Sequence, residues 1–574
     1  MDLLKQDSIN SDKLWKGAGK PRSGPIFDRR QSCRLQYRKR LREGERLNLV
    51  SYTNNLHDCL LEKNGTQFWK CWRSKFESSN KCQQVDGCVD SDIIANKFAQ
   101  HFSQAYTSTD PSRANSLKTE YLQRRTDYFG FALSEEQMFD TELLAKTISN
   151  LSRGKAAGLD SLSSEHLLFC HPILATILSM LFNLMLLCSH VPGIFGLSYT
   201  IPIPKIKDCR TKAMTTDDFR GIAISCIFSK VFELCFFDRF KSYFTVSENQ
   251  FGFKKGTGCS HAVSTLRKVV DQYVNGGSTV SLCALDMSKA FDRTNHHALF
   301  IKLMNRNFPI ELLCIFENWF SKCYTCVRWE DSSSSYFKIE FGVRQGSVLS
   351  PHFFALYLDD IVGRFYPGRG IHIVLYADDI MLIAPSVGEL QRLLNSCEKE
   401  LAWLDMTINV KKSCCMRIGP RYDASCANIT TSNGCALPWV DQIRYLGIYI
   451  VKSCKFKCSL DYAKRACYRS LNAIFGKIGR FASEEVVLEL VAKKCIPILL
   501  YGLEACPLAK SDLSSLDFII TRFLMKLFKT SNIDIIKDCQ HFFHFVSPSE
   551  LWKVRVATFN AKCNSRCLLQ QLCN

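Results

Sequence analysis

The sequence predicts an α+β protein: helical segments first, then a mixed region of strands and helices, then helices again. Three observations predict it. Helix-compatible patterns cover residues 36–61, 65–76 and 91–106. From about residue 134, short β-prone runs such as VSLCAL at 280–285 alternate with helical patterns. From about residue 459 to 529 the chain reads as helical once more.

In order, residues 13–46 (KLWKGAGKPRSGPIFDRRQSCRLQYRKRLREGER) read as a basic arm followed by a helix. The mixed polar stretch 108–127 reads as a linker. Residues 141–151 are amphipathic, and the loop GKAAGLDSLSSEH leads into the run LLFCHPILATILSMLFNLMLLC at 167–188. That run has the length and apolarity of a membrane span. It also carries His171, Pro172, Thr176, Ser179 and Asn183, and Pro172 suits the first turn of a helix. A buried core helix is therefore expected. IPIPKIKD at 201–208 is a short extended segment, and DDFRGIAISCIFSKVFE at 217–233 is a strand followed by a helix. Residues 280–285 form a buried strand ending in Asp286. Leu390, Leu393, Leu394, Cys397, Leu401 and Leu404 recur at helical spacing. Residues 407–418 read as a strand containing Lys411 and Lys412, and IRYLGIYIV at 443–451 as another.

A chain of 574 residues can bury several cores and holds two or three domains. Its net charge of +19 points to a polyanionic partner, most simply nucleic acid, although a membrane surface fits charge alone equally well. Between residues 13 and 46, twelve Lys or Arg stand against three acids, a local net of +9. The 29 cysteines are scattered and odd in number, and MDLLKQDSINSDKLWK has no apolar core. A reducing intracellular compartment suits this usage better than a disulfide framework. Cys323-Tyr-Thr-Cys326 has zinc-like spacing without a second pair, and Cys539, His541, His544, Cys563 and Cys567 are irregularly spaced. Neither set is read as a metal centre.

The run IHIVLYADDIMLIA is the most informative stretch. Two apolar runs flank a few polar residues, which is the pattern of a tight hairpin with Asp378 and Asp379 at its tip. Neighbouring anions repel, and holding them on packed strands calls for a cation. Carboxylate oxygens suit Mg2+. A solvated Asp-Asp turn is the plainer reading. Asp286 adds a third acid at the end of a buried strand, either as an N-cap for a helix near residue 288 or as a site residue. Taken together, the three acids suit a two-metal phosphoryl-transfer site.

LDMSKAFD, RQGSVLSP (344–351) and YADD occur in the order and approximate spacing of reverse transcriptases. Upstream, IPIPK, DDFRGIAIS and QFGFKKGTG (250–258) resemble segments of non-LTR (LINE-like) retrotransposon enzymes, above all the CR1- and Jockey-like groups. Downstream, INVKKS (408–413), RYLGIYI (444–450) and PILLYGLEA (497–505) resemble their later segments. The resemblance covers roughly residues 134–530. It implies a right-hand polymerase architecture of fingers, a palm with an antiparallel sheet, and a helical thumb. Residues 1–133 would be a basic, mostly helical extension, 134–280 the fingers, 281–455 the palm with the remaining fingers elements, 456–540 the thumb and 541–574 a tail.

The same resemblance implies an RNA-directed DNA polymerase that uses two Mg2+ ions, with Mn2+ as a substitute. Asp286, Asp378 and Asp379 would be its catalytic acids, Asp379 being the weaker ligand, with the Met287 carbonyl helping to hold metal. Phe291 would be the steric gate under the sugar, although plain core packing is its simpler role. Lys205 and Arg220 would grip the incoming triphosphate. Gln345 and Gly346 would line the nucleotide and template pocket. Lys412, or equally Lys411, would assist pyrophosphate departure. Asp292 reads as structural. Partners would be an RNA template, a DNA primer or target and dNTPs, without stable membrane association. An intracellular location, in cytoplasm or nucleus, follows. Arg38-Lys39-Arg40 suits nuclear import or simply an RNA-facing surface.

Two positions depart from the family pattern: Leu159 in GKAAGLD and Gly221 in DDFRGI, where Pro is common. Nothing before residue 134 resembles the endonuclease such elements usually encode, so the chain is expected to begin in the linker between the two domains. A catalytically inactive or domesticated nucleic-acid-binding relic is the competing reading.

Overall fold

The computed structural model describes residues 2–77, 82, 84–108, 110–205, 213–287, 290–363 and 370–564. It divides into two compact units, one of residues 1–79, 460–504 and 508–558, the other of residues 80–459, 505–507 and 559–574.

The first unit is helical. Its helices include Asp2–Gly17, Pro25–Leu61, Gly65–Phe76, Asp461–Ile478, Glu484–Leu490 and Lys510–Phe528. The second of these starts at Pro25, in its first turn, earlier than periodicity predicts. Much of the expected basic arm is thus helix. The side chains of Leu56, Phe68 and Trp72 are buried. His57 Nδ1 lies 2.8 Å from Ser483 Oγ, and Lys477 Nζ donates to Phe76 O at 2.9 Å. The N-terminal helices therefore pack with helices that follow residue 460.

Among the described residues, all fourteen strands lie in the second unit. Leu197–Pro204 (β1), Phe219–Ser225 (β2), Tyr324–Trp329 (β4), Ser332–Ser333 (β5) and Phe337–Lys338 (β6) form one sheet in the order β2-β1-β4-β5, with β6 also on β4. Val280–Leu285 (β3), His372–Tyr376 (β7), Asp379–Ala384 (β8) and Cys414–Ile418 (β9) form an antiparallel sheet in the order β7-β8-β3-β9. Ile429–Thr430 (β10) pairs with Ala436–Leu437 (β11), while Gln442–Tyr445 (β12), Ile448–Val451 (β13) and Lys457–Ser459 (β14) form a third meander. Central β3 is almost wholly buried, as a continuous apolar run requires between two partners. Helix Val387–Trp403 covers this sheet through Leu390, Leu393, Leu394, Cys397 and Leu401.

Several local expectations need correction. The stretch 108–127 contains a helix, Pro111–Thr126. Asp110 caps it by accepting from Ser112 N and Arg113 N, Pro111 starts it, and Leu117 and Tyr121 are buried. Residues 443–451 are two strands, because Leu446 (φ 46°) and Gly447 (φ 86°) turn the chain between them. Lys411 and Lys412 lie in a turn before β9 rather than within a strand.

The apolar run 167–188 yields helix Ile173–Cys188, but one face is open. Ala175, Leu178, Phe182, Met185 and Leu186 are buried, whereas Ile173, Ile177, Met180, Leu181, Leu184 and Leu187 are exposed. It is a half-buried helix, not a fully buried one. Among the described residues, no helix is long and apolar enough to cross a membrane.

Candidate active site

The acidic pair stands on a two-residue turn. Tyr376 pairs with Asp379, leaving Ala377 and Asp378 as the loop. Ala377 takes the left-handed start at φ 56°. On the neighbouring strand Leu285 pairs with Ile380. Asp286 and Asp379, one residue further on each strand, therefore leave the sheet at the same edge. Asp286 is fixed from the other side: its N–H donates to Ser413 Oγ (3.1 Å), and Asn409 Nδ2 donates to its Oδ2 (3.1 Å). Lys412 Nζ stands 3.7 Å from the same oxygen.

The three carboxylates feel one another. Burial, and then the charge of Asp286, raises Asp378 above the usual carboxylate range, while Arg220 and Lys412 pull it down. Asp379 is pushed up to about 6 by burial, then by Asp378 and Asp286, against Arg444. Such a cluster attracts cations. Among the described residues, no group of three His, Cys, Asp or Glu side chains is already gathered to hold a metal ion. The donor chemistry still fits a hard divalent cation, since every acid here offers oxygen and the repulsion calls for positive charge.

Asp286 and Asp378 open onto a cleft of about 890 Å³ lined also by Lys205, Arg220, Met287, Phe291, Gln345, Gly346 and Lys412, among others. Lys411 and Asp379 are not among the lining residues. Arg220 is exposed on β2, whereas Lys205 Nζ donates to Asp217 O at 2.6 Å. Phe291 stacks on Phe354 at 4.3 Å and meets Phe253 edge-on at 5.9 Å.

Residues 203–450 match the family described as reverse transcriptase (RNA-dependent DNA polymerase). The chain carries a reverse transcriptase domain. It is similar to the probable RNA-directed DNA polymerase from transposon BS of Drosophila melanogaster, at 24% identity over 80% of this chain and 52% of that protein. It is also similar to the RNA-directed DNA polymerase from mobile element jockey of Drosophila funebris, at 23% identity over 75% of this chain and 48% of that protein. A third relative is the Pol polyprotein from type-2 retrotransposable element R2DM of Drosophila melanogaster, at 24% identity over 54% and 30% of the two chains. The relatives are non-LTR retrotransposon polymerases, as the sequence motifs imply. The chain spans about half the length of the first two.

The reverse transcriptase domain also uses residues that motif reading passed over. Glu233, 1% exposed, accepts through Oε2 from Ser347 Oγ (2.6 Å), Val348 N and Leu349 N (3.0 Å). It thereby clamps the loop after Gly346 at the start of helix Ser350–Gly363. The same loop grips β2: Ala223 N donates to Gln345 O at 2.7 Å. Gly346 is required there, since at φ 129° a Cβ would lie 2.3 Å from Ala223 O. Gln345 Nε2 reaches Asp292 Oδ1 at 3.1 Å, which gives Asp292 a positioning contact. Asn409 sits inside INVKKS but is invisible as a partner of Asp286 until the chain folds. Glu233 looks in sequence like any polar residue on an apolar helix.

Proposed function

We propose that the chain is an RNA-directed DNA polymerase of a non-LTR retrotransposon, extending a DNA primer on an RNA template with dNTPs. The observation that carries this reading is the convergence of Asp286 and Asp378 at one sheet edge, in a cleft that also holds Arg220 and Lys412. Asp286 and Asp378 would hold divalent metal, Mg2+ or Mn2+, with Asp379 a weaker member of the set. A divalent metal bound there would supply Lewis-acid activation of the primer 3′-OH and charge neutralisation for the departing pyrophosphate. The chain's own residues do the rest. Arg220 offers forked hydrogen bonds to the triphosphate, and Lys205 a point charge. Lys412, whose Nζ stands near Asp286, would donate a proton to the leaving group. Phe291, held flat by Phe354, bars a ribose 2′-OH. Gln345 and Gly346 line the nucleotide and template side of the pocket. Most of the rate enhancement then comes from positioning and preorganised charge.

The basic N-terminal helices favour template RNA held by its backbone, with a steep dependence on salt. The test is primer extension on an RNA template with dNTPs and Mg2+, comparing the parent with Asp378→Ala. Extension by the parent alone is expected. A soluble parent that binds RNA tightly yet extends nothing would overturn the reading in favour of a nucleic-acid-binding relic.

A further inference from the structure

Residues 249–252 run beside β7 as an additional edge. Leu375 N donates to Asn249 O at 2.9 Å, and Phe251 N donates to Leu375 O at 2.8 Å. Gln250 and Leu375 make a parallel bridge. The Gln250 side chain is fully buried. Its Oε1 accepts from Gly252 N at 2.9 Å and from Ala377 N at 3.1 Å. Ala377 is the left-handed residue that starts the acidic turn, a conformation disfavoured for any residue with a Cβ. Gly252 completes the contact, because a Cβ there would lie 2.5 Å from Ala377 N.

Chemistry fixes which way the Gln250 amide faces. Two N–H donors converge on one atom, and that atom must be the oxygen. The consequence is that Nε2 is buried without a partner among the described residues. A buried donor left unmade weakens a fold. A residue chosen only to fill the core would be apolar here. The glutamine is explained by what its oxygen does.

We propose that Gln250 is a positioning residue for nucleotidyl transfer, acting through the Ala377 amide to fix the turn that carries Asp378. The proposal rests on the reading of Asp378 as a metal-holding acid and adds the group that fixes its place. Residues 249–252 are the brace, and Gln250 is the point where the brace reaches the turn.

The test compares the full-length parent with Gln250→Met, which keeps the length and removes the acceptor, and with Gln250→Glu, which keeps the oxygen. Gly252→Ala disturbs the same amide from the brace side. One readout is amide hydrogen exchange of residues 376–379, and the other is primer extension with Mg2+. Gln250→Met is expected to speed exchange at Ala377 about ten-fold, leaving β3 and β9 as in the parent. Its kcat should fall about ten-fold or more, with KM for dNTP within about two-fold. Gly252→Ala should follow the same pattern, and Gln250→Glu should retain slow exchange. Parental exchange and kcat in Gln250→Met would overturn the proposal. So would faster exchange spread evenly over the sheet, or equally fast exchange in Gln250→Glu. A parent that extends no primer counts against the proposed function, while the exchange measurement still decides whether Gln250 holds the turn.

Discussion

Replacing Asp379 by Asn should stabilise the protein in the absence of divalent cations, although it removes an acid from the candidate active site. Asp379 titrates at about 6 in the folded chain against an ordinary 3.8, through burial and then the charges of Asp378 and Asp286. Its folded value lies above its unfolded value, so between pH 3.8 and about 6 the folded state holds the extra proton. The stabilisation from that proton is complete below pH 3.8 and is lost as pH rises through about 6. Moving from 3.8 to about 6 is worth about 3 kcal/mol at 1.36 kcal/mol per pH unit. Asp379 is half-buried rather than sealed off, and solvent screening brings this to about 1–2 kcal/mol. Asparagine carries no charge and escapes the penalty. The assay is urea denaturation of parent and Asp379→Asn in EDTA at acid and neutral pH. The variant should be more stable by about 1–2 kcal/mol at neutral pH, and the gap should close toward pH 4. Millimolar Mg2+ should then favour the parent. A variant no more stable than the parent at neutral pH in EDTA would refute the reasoning, because the acids would then be under no electrostatic stress for a cation to relieve.

Glu233→Ala leaves Ser347 Oγ, Val348 N and Leu349 N without their shared acceptor. It should lower unfolding stability by about 3 kcal/mol, read from urea midpoints, and a change below about 1 kcal/mol would remove the clamp role. Phe291→Val opens the floor of the cleft and should raise ribonucleotide use relative to dNTPs about ten-fold or more, measured by competitive primer extension. An unchanged ratio would return Phe291 to plain core packing.

The acidic hairpin and β3 were legible because their signal is local. Apolar runs of strand length bound Asp286 and the Asp378–Asp379 pair, and each strand needs no distant information to be recognised. The resemblance then tied the three acids to one chemistry. What stayed hidden is contact made by backbone amides. Glu233 and Gln250 act on N–H groups far away in sequence, and side-chain spacing carries no trace of such partners. The helix at Pro111–Thr126 was missed for a different reason: its polar surface outweighed the Asp110-Pro111 start signal. The hairpin at 442–451 was missed because Leu446-Gly447 is a turn with an apolar first residue, which periodicity reads as more strand. Helix Ile173–Cys188 reads as fully buried yet is only half-buried, since an apolar run tells a helix to hide and does not say which half succeeds.

That helix bears on how the protein behaves in solution. Its open stripe, from Ile173 to Leu187, carries no charge, on a chain whose net charge is +19. At low ionic strength the positive charge keeps copies apart but also gathers nucleic acid. Salt strong enough to strip that nucleic acid cuts the Debye length to about 3 Å at 1 M. The repulsion between copies fades at that point while the attraction between apolar stripes does not. The protein should therefore be most prone to self-association in the very buffers that make it clean, and a mild detergent or osmolyte during the high-salt step should matter more than any later polishing.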